Sequence, residues 1–229
     1  MSEQIILPRK RKTKPFKIGV IVQARMTSKR FPGKMMHLLM GKTLVERVLE
    51  RVKLIKGAEP VLAVPDDDAS EPMLMIAERM GVPNFCGPEL DVLRRYYDAA
   101  RFFEFDVIMR ITGDCPFIDP IVCREVIDLL LWRKQDYTSN IFPTRTYPQG
   151  LDCEAFTMDC LDAANLVAHT PYEREHVTPW MQQTAGIKRA QIQQRLDQSH
   201  KNWCVDVPED IERLETLYKD KKAGNEKLN

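Results

Sequence analysis

Ile18-Gly-Val-Ile-Val-Gln-Ala-Arg25-Met-Thr-Ser28-Lys29-Arg30-Phe-Pro32-Gly33-Lys34 joins a β-branched apolar run to a loop with four cations in ten residues: Arg25, Lys29, Arg30 and Lys34. Residues 18–22 have the continuous apolar character of a strand buried on both faces, as parallel strands are. In open α/β sheets, ligands bind at the carboxyl edge of such strands. Arginine offers a bidentate fork to phosphate and lysine a point charge. Ser28 and the backbone N–H groups around Gly33 add neutral donors. The loop therefore suits a polyphosphate, although a solvated basic loop after an ordinary strand is the plainer alternative. It is not a Walker loop, which needs Gly at 28 and Ser or Thr at 35, where this chain has Ser28 and Met35.

Strand and helix signals alternate outward from this stretch. Thr43 and Glu46 form a capping-box pattern ahead of Leu44, Val45, Val48, Leu49, Val52 and Ile55 at helical spacing. Strands are expected at 60–64, 82–86 and 106–112. Helices are expected at 72–80 and from about Glu89, the latter with a stripe of Leu90, Leu93, Tyr96, Tyr97, Ala100 and Phe103. Asp119 and Pro120 open another helix. Beyond Trp132 the alternation loosens. Strands are expected at 137–141, 151–156, 187–193 and 203–205, and helices at 158–168, 171–183 and after Val207-Pro208. Short connections between alternating elements predict an α/β fold with a three-layer, mainly parallel, mixed sheet.

The 229 residues fit one domain. We expect a disordered basic tail at 1–16, a single domain at 17–219 with an antiparallel excursion near 137–157, and a disordered tail at 220–229. A net charge of +1 supplies no general attraction to nucleic acid or anionic membrane. No apolar run approaches the roughly 20 residues of a membrane helix, and no signal peptide opens the chain, so a cytoplasmic location is expected. The six cysteines form no CxxC motif and are expected to be free and mostly buried.

Asp114 follows the 106–112 strand and Asp206 follows Trp203-Cys-Val205, so both are expected at the sheet's carboxyl edge. Either alone reads equally well as a turn or cap residue. Facing a polyphosphate loop, the pair favours a Mg²⁺ site, because Mg²⁺ takes one or two carboxylates together with phosphates and waters. Asp66-Asp67-Asp68 reads better as a solvated run. In Tyr172-Glu173-Arg174-Glu175-His176, Arg174 and His176 could clamp an anionic or polyhydroxy acceptor, and a surface turn with internal ion pairs is equally compatible. Glu154, beyond the long loop 142–150, could accept hydrogen bonds from sugar hydroxyls.

Gln23-Ala24-Arg25-x-x-Ser28-x-Arg30-x-Pro32-Gly33-Lys34 resembles the signature loop of the cytidylyltransferases, which include the CMP-sialic acid and CMP-Kdo synthetases, and most of all their spore coat polysaccharide branch. Gly87-Pro-Glu-Leu-Asp91-Val-Leu-x-Arg95, Arg110-Ile-Thr-Gly-Asp114-Cys-Pro, Tyr147-Pro-x-Gly150-Leu-Asp152-x-Glu154, Arg174-Glu-His176-Val-Thr-Pro179 and Val205-Asp206-x-Pro-Glu-Asp210 extend the likeness over nearly the whole chain. The loop departs from the branch at Thr27, Lys29 and Phe31, where Gly, Thr and Leu are usual. The resemblance implies a Rossmann-like, nucleotide-diphospho-sugar transferase fold. It implies that a sugar acid or related acceptor attacks the α-phosphate of CTP, giving a CMP-sugar and pyrophosphate for surface polysaccharide. It places Gln23, Ala24, Arg25, Ser28, Arg30 and Lys34 on the nucleotide, with Gly87, Asp91 and Arg95 near the nucleoside. Arg25, Lys34 and Asp114 become the catalytic residues, Asp114 and Asp206 the Mg²⁺ ligands, and Glu154, Arg174 and His176 the acceptor side. A homodimer is expected by the same analogy. Competing expectations are a nucleotide-sugar-dependent glycosyltransferase of the same fold and a non-catalytic nucleotide-binding relative.

Overall fold

A computed structural model describes residues 15–222; most of the two tails expected at 1–16 and 220–229 lies outside the described residues. In chain order the elements are β1 (Ile18–Gln23), a short hairpin of β2 (Leu38–Leu39) and β3 (Lys42–Thr43), α1 (Leu44–Val52), β4 (Glu59–Pro65), α2 (Glu71–Arg79), β5 (Asn84–Gly87), α3 (Val92–Phe102), β6 (Val107–Thr112) and α4 (Pro120–Arg133). They are followed by β7 (Tyr137–Ser139), β8 (Glu154–Thr157), α5 (Met158–Val167), α6 (Pro171–His176), α7 (Pro179–Gln183), β9 (Arg189–Gln191) and α8 (Glu209–Lys222).

The main sheet has seven strands in the order β5-β4-β1-β6-β8-β7-β9. β1 pairs parallel with both β4 and β6, and β4 pairs parallel with β5. β8 runs antiparallel to both β6 and β7, and β9 is parallel to β7. The sheet is therefore mixed and mostly parallel, with β8 the reversed strand. The chain proceeds from β1 to β4 and β5 on one side, then crosses back to β6 on the other. That reversal leaves a crevice beyond the carboxyl ends of β1 and β6, the switch point at which open sheets bind ligands.

Helices cover both faces, giving three layers. Val20 and Val22 of β1 pack with Val48 of α1, Ile76 of α2, Val126 of α4 and Leu214 of α8. Ile21, between them, packs with Leu93 and Tyr96 of α3, Leu161 of α5 and Trp180 of α7. Period-2 alternation with both sides apolar thus makes β1 the spine of two cores. Right-handed crossovers in opposite directions put α1 and α2 on one face and α3 on the other. No helix among the described residues is long and apolar enough to cross a membrane.

Local signals are realised in detail at several places. Thr43 Oγ1 accepts from the Glu46 N–H while Glu46 reaches back to the Thr43 N–H at 2.7 Å, completing the capping box. Asp119 accepts from Ile121 N–H at 2.8 Å, with Pro120 in the first helical position. All six cysteines are free, and five are buried.

Three expectations are corrected. The stretch expected as one helix at 171–183 is two, α6 and α7, broken at Val177, whose φ is +71°. Residues 203–205 do not form a strand. They run as an extended segment that lends single bonds, Trp203 N–H to Gln149 O at 2.7 Å and Val205 N–H to Asp114 O at 3.0 Å. Leu90 is 73 % exposed because Asp91 is the N-cap of α3, which leaves Leu90 outside the helix and off its apolar stripe.

Candidate active site

β1 ends at Gln23, and the loop that follows turns back at Gly33. Gly33 holds φ +71°, a left-handed conformation that a Cβ would strain, and donates its N–H to Met26 O at 2.9 Å. A single 3₁₀ turn, Lys34–Met36, starts there and directs Lys34 inward. Lys34 is only 8 % exposed, which demands compensation for a buried ammonium. Its Nζ lies 2.9 Å from Asp114 Oδ2, 2.8 Å from Val205 O and 3.7 Å from Asp206 Oδ1. The loop after β1, the loop after β6 and the approach to α8 therefore meet at one ammonium group.

Burial alone would raise the Asp114 carboxyl. The Lys34 charge and hydrogen bonds from Lys34 and Thr112 outweigh it and hold the group below its ordinary value. Asp206 is not a helix cap. Instead, Asp210 in the first turn of α8 reaches back to accept from Asp206 N–H at 2.7 Å and Val207 N–H at 3.0 Å, and the Asp206 carboxylate goes to Arg30 at 2.9 Å and to Lys34. Gly113 makes the close approach possible: a Cβ there would stand 2.9 Å from Met35 Sδ and 3.1 Å from Gln23 O.

A cavity of about 430 Å³ opens over these groups, within the usual range of about 300–1,000 Å³ for small-molecule sites. Gln23, Ala24, Arg25, Ser28, Arg30, Lys34, Arg95, Asp114, His176 and Asp206 line it, as do Lys29, Arg110, Thr112 and Glu175. Arg25 reaches across to Glu175 at 3.3 Å. Arg95 is 1 % exposed, and its NH1 donates to Pro88 O at 2.6 Å. Gln23 Oε1, Arg95 Nε and Arg110 Nε are buried without a hydrogen-bond partner. Polar atoms in that state are costly, and all three belong to side chains of the cavity wall.

Four of the residues expected at the site stand behind this wall. Glu154 is 1 % exposed. One of its oxygens meets Arg110 at 2.7 Å; the other accepts from Tyr137 at 2.5 Å and Gln182 at 3.0 Å. It thus holds Arg110 in place on the wall. Arg174 forms a two-bond pair with Asp91, at 2.8 and 2.7 Å, and donates to Asn165 O and Ala168 O. Asp91 also caps α3 by accepting from Arg94 N–H at 2.9 Å, so the pair ties α6 to the start of α3. Gly87 ends β5, where a Cβ would press on Arg95 Cγ at 3.2 Å. Asp67 caps a 3₁₀ turn through Ser70, and none of Asp66, Asp67 and Asp68 lines the cavity. Thr27, standing where a glycine is usual, is not among the residues of positive φ and hydrogen-bonds Glu89.

Arg110, Thr112 and Glu175 were not picked out from the sequence. The first two carry a signal in hindsight: with Asp114 they fall on every second position of β6 and its extension, the period that points side chains to one face. Glu175 has none beyond its neighbour His176.

The chain is similar to known proteins of one family. The cytidylyltransferase family model matches residues 19–228. The chain is 28% identical to the spore coat polysaccharide biosynthesis protein SpsF of Bacillus subtilis over 213 residues, 89% of this chain and 86% of that one. It is 32% identical to a 3-deoxy-manno-octulosonate cytidylyltransferase of Anaeromyxobacter over 112 residues, 48% of this chain and 46% of that one. The solved structure of a cytidylyltransferase from Leptospira borgpetersenii superposes with a TM-score of 0.85 at 31% identity, covering 94% of this chain and all of that one. With the family model spanning β1 to the end of α8, this nucleotidyltransferase belongs to the cytidylyltransferase family.

Proposed function

We propose that the protein is a Mg²⁺-dependent cytidylyltransferase that joins CTP to a sugar acid of the nonulosonate type, or a related acceptor, releasing pyrophosphate and a CMP-sugar for surface polysaccharide. The observation that carries this is the buried Lys34 ammonium between Asp114 and Asp206, lining a cavity that Arg25 and Arg30 also line. Phosphoryl-type transfer asks mainly for positioning and charge neutralisation. The relatives support the class of acceptor: one acts on 3-deoxy-manno-octulosonate by its name, another by its name serves polysaccharide biosynthesis.

Arg25, Ser28, Arg30 and Lys34 bind the triphosphate, with Lys34 and Arg25 countering charge that develops on the α-phosphate and the departing pyrophosphate. Gln23, Ala24 and Arg95, backed by Gly87 and Asp91, border the nucleoside. His176 lines the cavity on the acceptor side, on the helix that the Arg174–Asp91 pair anchors, and Glu154 serves the same side by holding Arg110. Asp114 and Asp206 fit a Mg²⁺ ion because both are carboxylates, the hard oxygen donors this ion prefers, and their oxygens converge on one place, 2.9 and 3.7 Å from the same Lys34 Nζ atom. When bound, the ion would neutralise phosphate charge and orient the triphosphate.

The test is pyrophosphate release with Mg²⁺, each of the four nucleoside triphosphates, and sialic, legionaminic, pseudaminic and Kdo acceptors. Release selective for CTP and dependent on one acceptor supports the proposal. Cleavage of a CMP-sugar donor with transfer of the sugar, and no pyrophosphate release, would favour the glycosyltransferase instead.

A further inference from the structure

Beside the phosphate-side cluster, a second arrangement of ligand atoms has different chemistry. Among the described residues, Asp114, Cys115 and Cys204 form the group of three potential metal ligands whose atoms all lie within 4.8 Å of one another. Cys115 Sγ is 3.6 Å from Cys204 Sγ and 3.6 Å from Asp114 Oδ1. A tetrahedral ion with metal–sulfur bonds of about 2.3 Å and metal–oxygen bonds of about 2.1 Å holds its ligand atoms about 3.5–3.8 Å apart. Both edges formed at Cys115 already have that length.

We propose that Asp114, Cys115 and Cys204 bind one thiophilic divalent cation, of the zinc and cadmium class, and that filling this site takes Asp114 away from nucleotide. The second half of this inference rests on the function proposed above; the first does not. Two cysteine sulfurs select soft or borderline metals over Mg²⁺. The surroundings are those of a built site. Lys34 occupies Oδ2 of Asp114, leaving Oδ1 on the sulfur side. The Thr112 hydroxyl lies 3.0 Å from Cys115 Sγ, and Asn202 Oδ1 accepts from Cys204 N–H at 2.8 Å, fixing the cysteine backbone. The Asp114 side chain is 25 % exposed and lines the cavity, while both cysteines are buried behind it. On binding, two thiol protons leave to solvent; the three negative charges of the ligand set are then balanced by the two positive charges of the ion and by the Lys34 ammonium. The fourth position falls to water.

The experiment titrates the reduced, metal-free full chain with Cd²⁺ and follows the ultraviolet charge-transfer absorption of the cadmium–thiolate bond. The expected result is one Cd²⁺ per chain, with affinity about tenfold or more weaker in both Cys204→Ala and Cys115→Ala. Circular dichroism confirms that each variant is folded. Cys123 and Cys153, whose thiols contact each other, remain in both variants as an internal control. No charge-transfer band at stoichiometric Cd²⁺, or a band undiminished in both folded variants, overturns the site. A second titration measures Mg²⁺·CTP binding to Cd²⁺-loaded protein. Weaker binding supports the link. A filled site with unchanged nucleotide affinity contradicts the place of Asp114 in the nucleotide site and leaves the metal site standing.

Discussion

The Nζ of Lys34 lies 2.9 Å from Oδ2 of Asp114, although 80 residues separate the two in the chain. A lysine this buried is tolerated because it is shared among two carboxylates and the Val205 carbonyl. The same arrangement sets charge at the carboxyl edge of β1 and β6. Replacing Lys34 by Met keeps the length and removes the charge. We expect pyrophosphate formation to fall by about 10²- to 10³-fold, the scale of losing one preorganised charge-stabilising donor. A loss smaller than about tenfold would take Lys34 out of the reaction centre.

The Lys34–Asp114 pair also predicts a pH dependence of stability. The Asp114 carboxyl is held below its ordinary value of 3.8 in the folded chain. A depressed carboxyl contributes stability at pH above its unfolded value and loses that contribution as pH falls through its folded value. The gap in urea midpoint between wild type and Asp114→Asn is therefore full near neutrality. It shrinks as the pH drops below 3.8 and closes below the folded value. An equal gap at about pH 7 and about pH 3 would contradict the ion pair as the cause.

Glu154 and Arg110 form a buried pair, with side chains 2 % and 13 % exposed. Removing one partner of such a pair costs about 3–5 kcal/mol. Glu154→Ala is expected to lower the melting temperature by roughly 10 °C, and Glu154→Gln by less, since the amide still bonds Tyr137. A Glu154→Ala protein of wild-type stability with a raised KM for acceptor alone would place Glu154 on the substrate and not behind Arg110.

Asp91 both caps α3 and holds Arg174. Asp91→Ala should cost about 0.5–2 kcal/mol for the lost cap, with a further loss from the ion pair. A double-mutant cycle with Arg174→Ala should report coupling between the two. Strict additivity of the two single effects would show that the pair does not tie α6 to α3 in solution.

Much of the fold was legible because its signals are local. The apolar run of β1, the Thr43–Glu46 box and the Asp119–Pro120 start each reside in a few neighbouring residues. The break at Val177 has one local signal, Thr178-Pro179 with its proline in the first turn of a second helix, but no glycine marks the positive-φ residue before it. Residues 203–205 have the composition of a strand, but single bonds to Gln149 and Asp114 occupy their backbone. At the site, cations and carboxylates at strand ends announce themselves, since the carboxyl edge of a parallel sheet is where such residues gather. What could not be read was pairing across the chain. That Glu154 backs Arg110 and that Arg174 grips Asp91 depends on strand order and helix packing, which residue spacing does not encode.

In the proposed function, Asp114 and Asp206 hold the metal that accompanies CTP over the Arg25–Lys34 loop. Calorimetric titration of CTP with and without Mg²⁺, on wild type and on the Asp114→Asn/Asp206→Asn double variant, tests it most directly. Mg²⁺ is expected to tighten CTP binding to the wild type, and this gain to disappear in the folded double variant. A Mg²⁺-dependent gain that survives in the double variant would contradict the claim, as would a wild-type protein that binds no CTP under either condition.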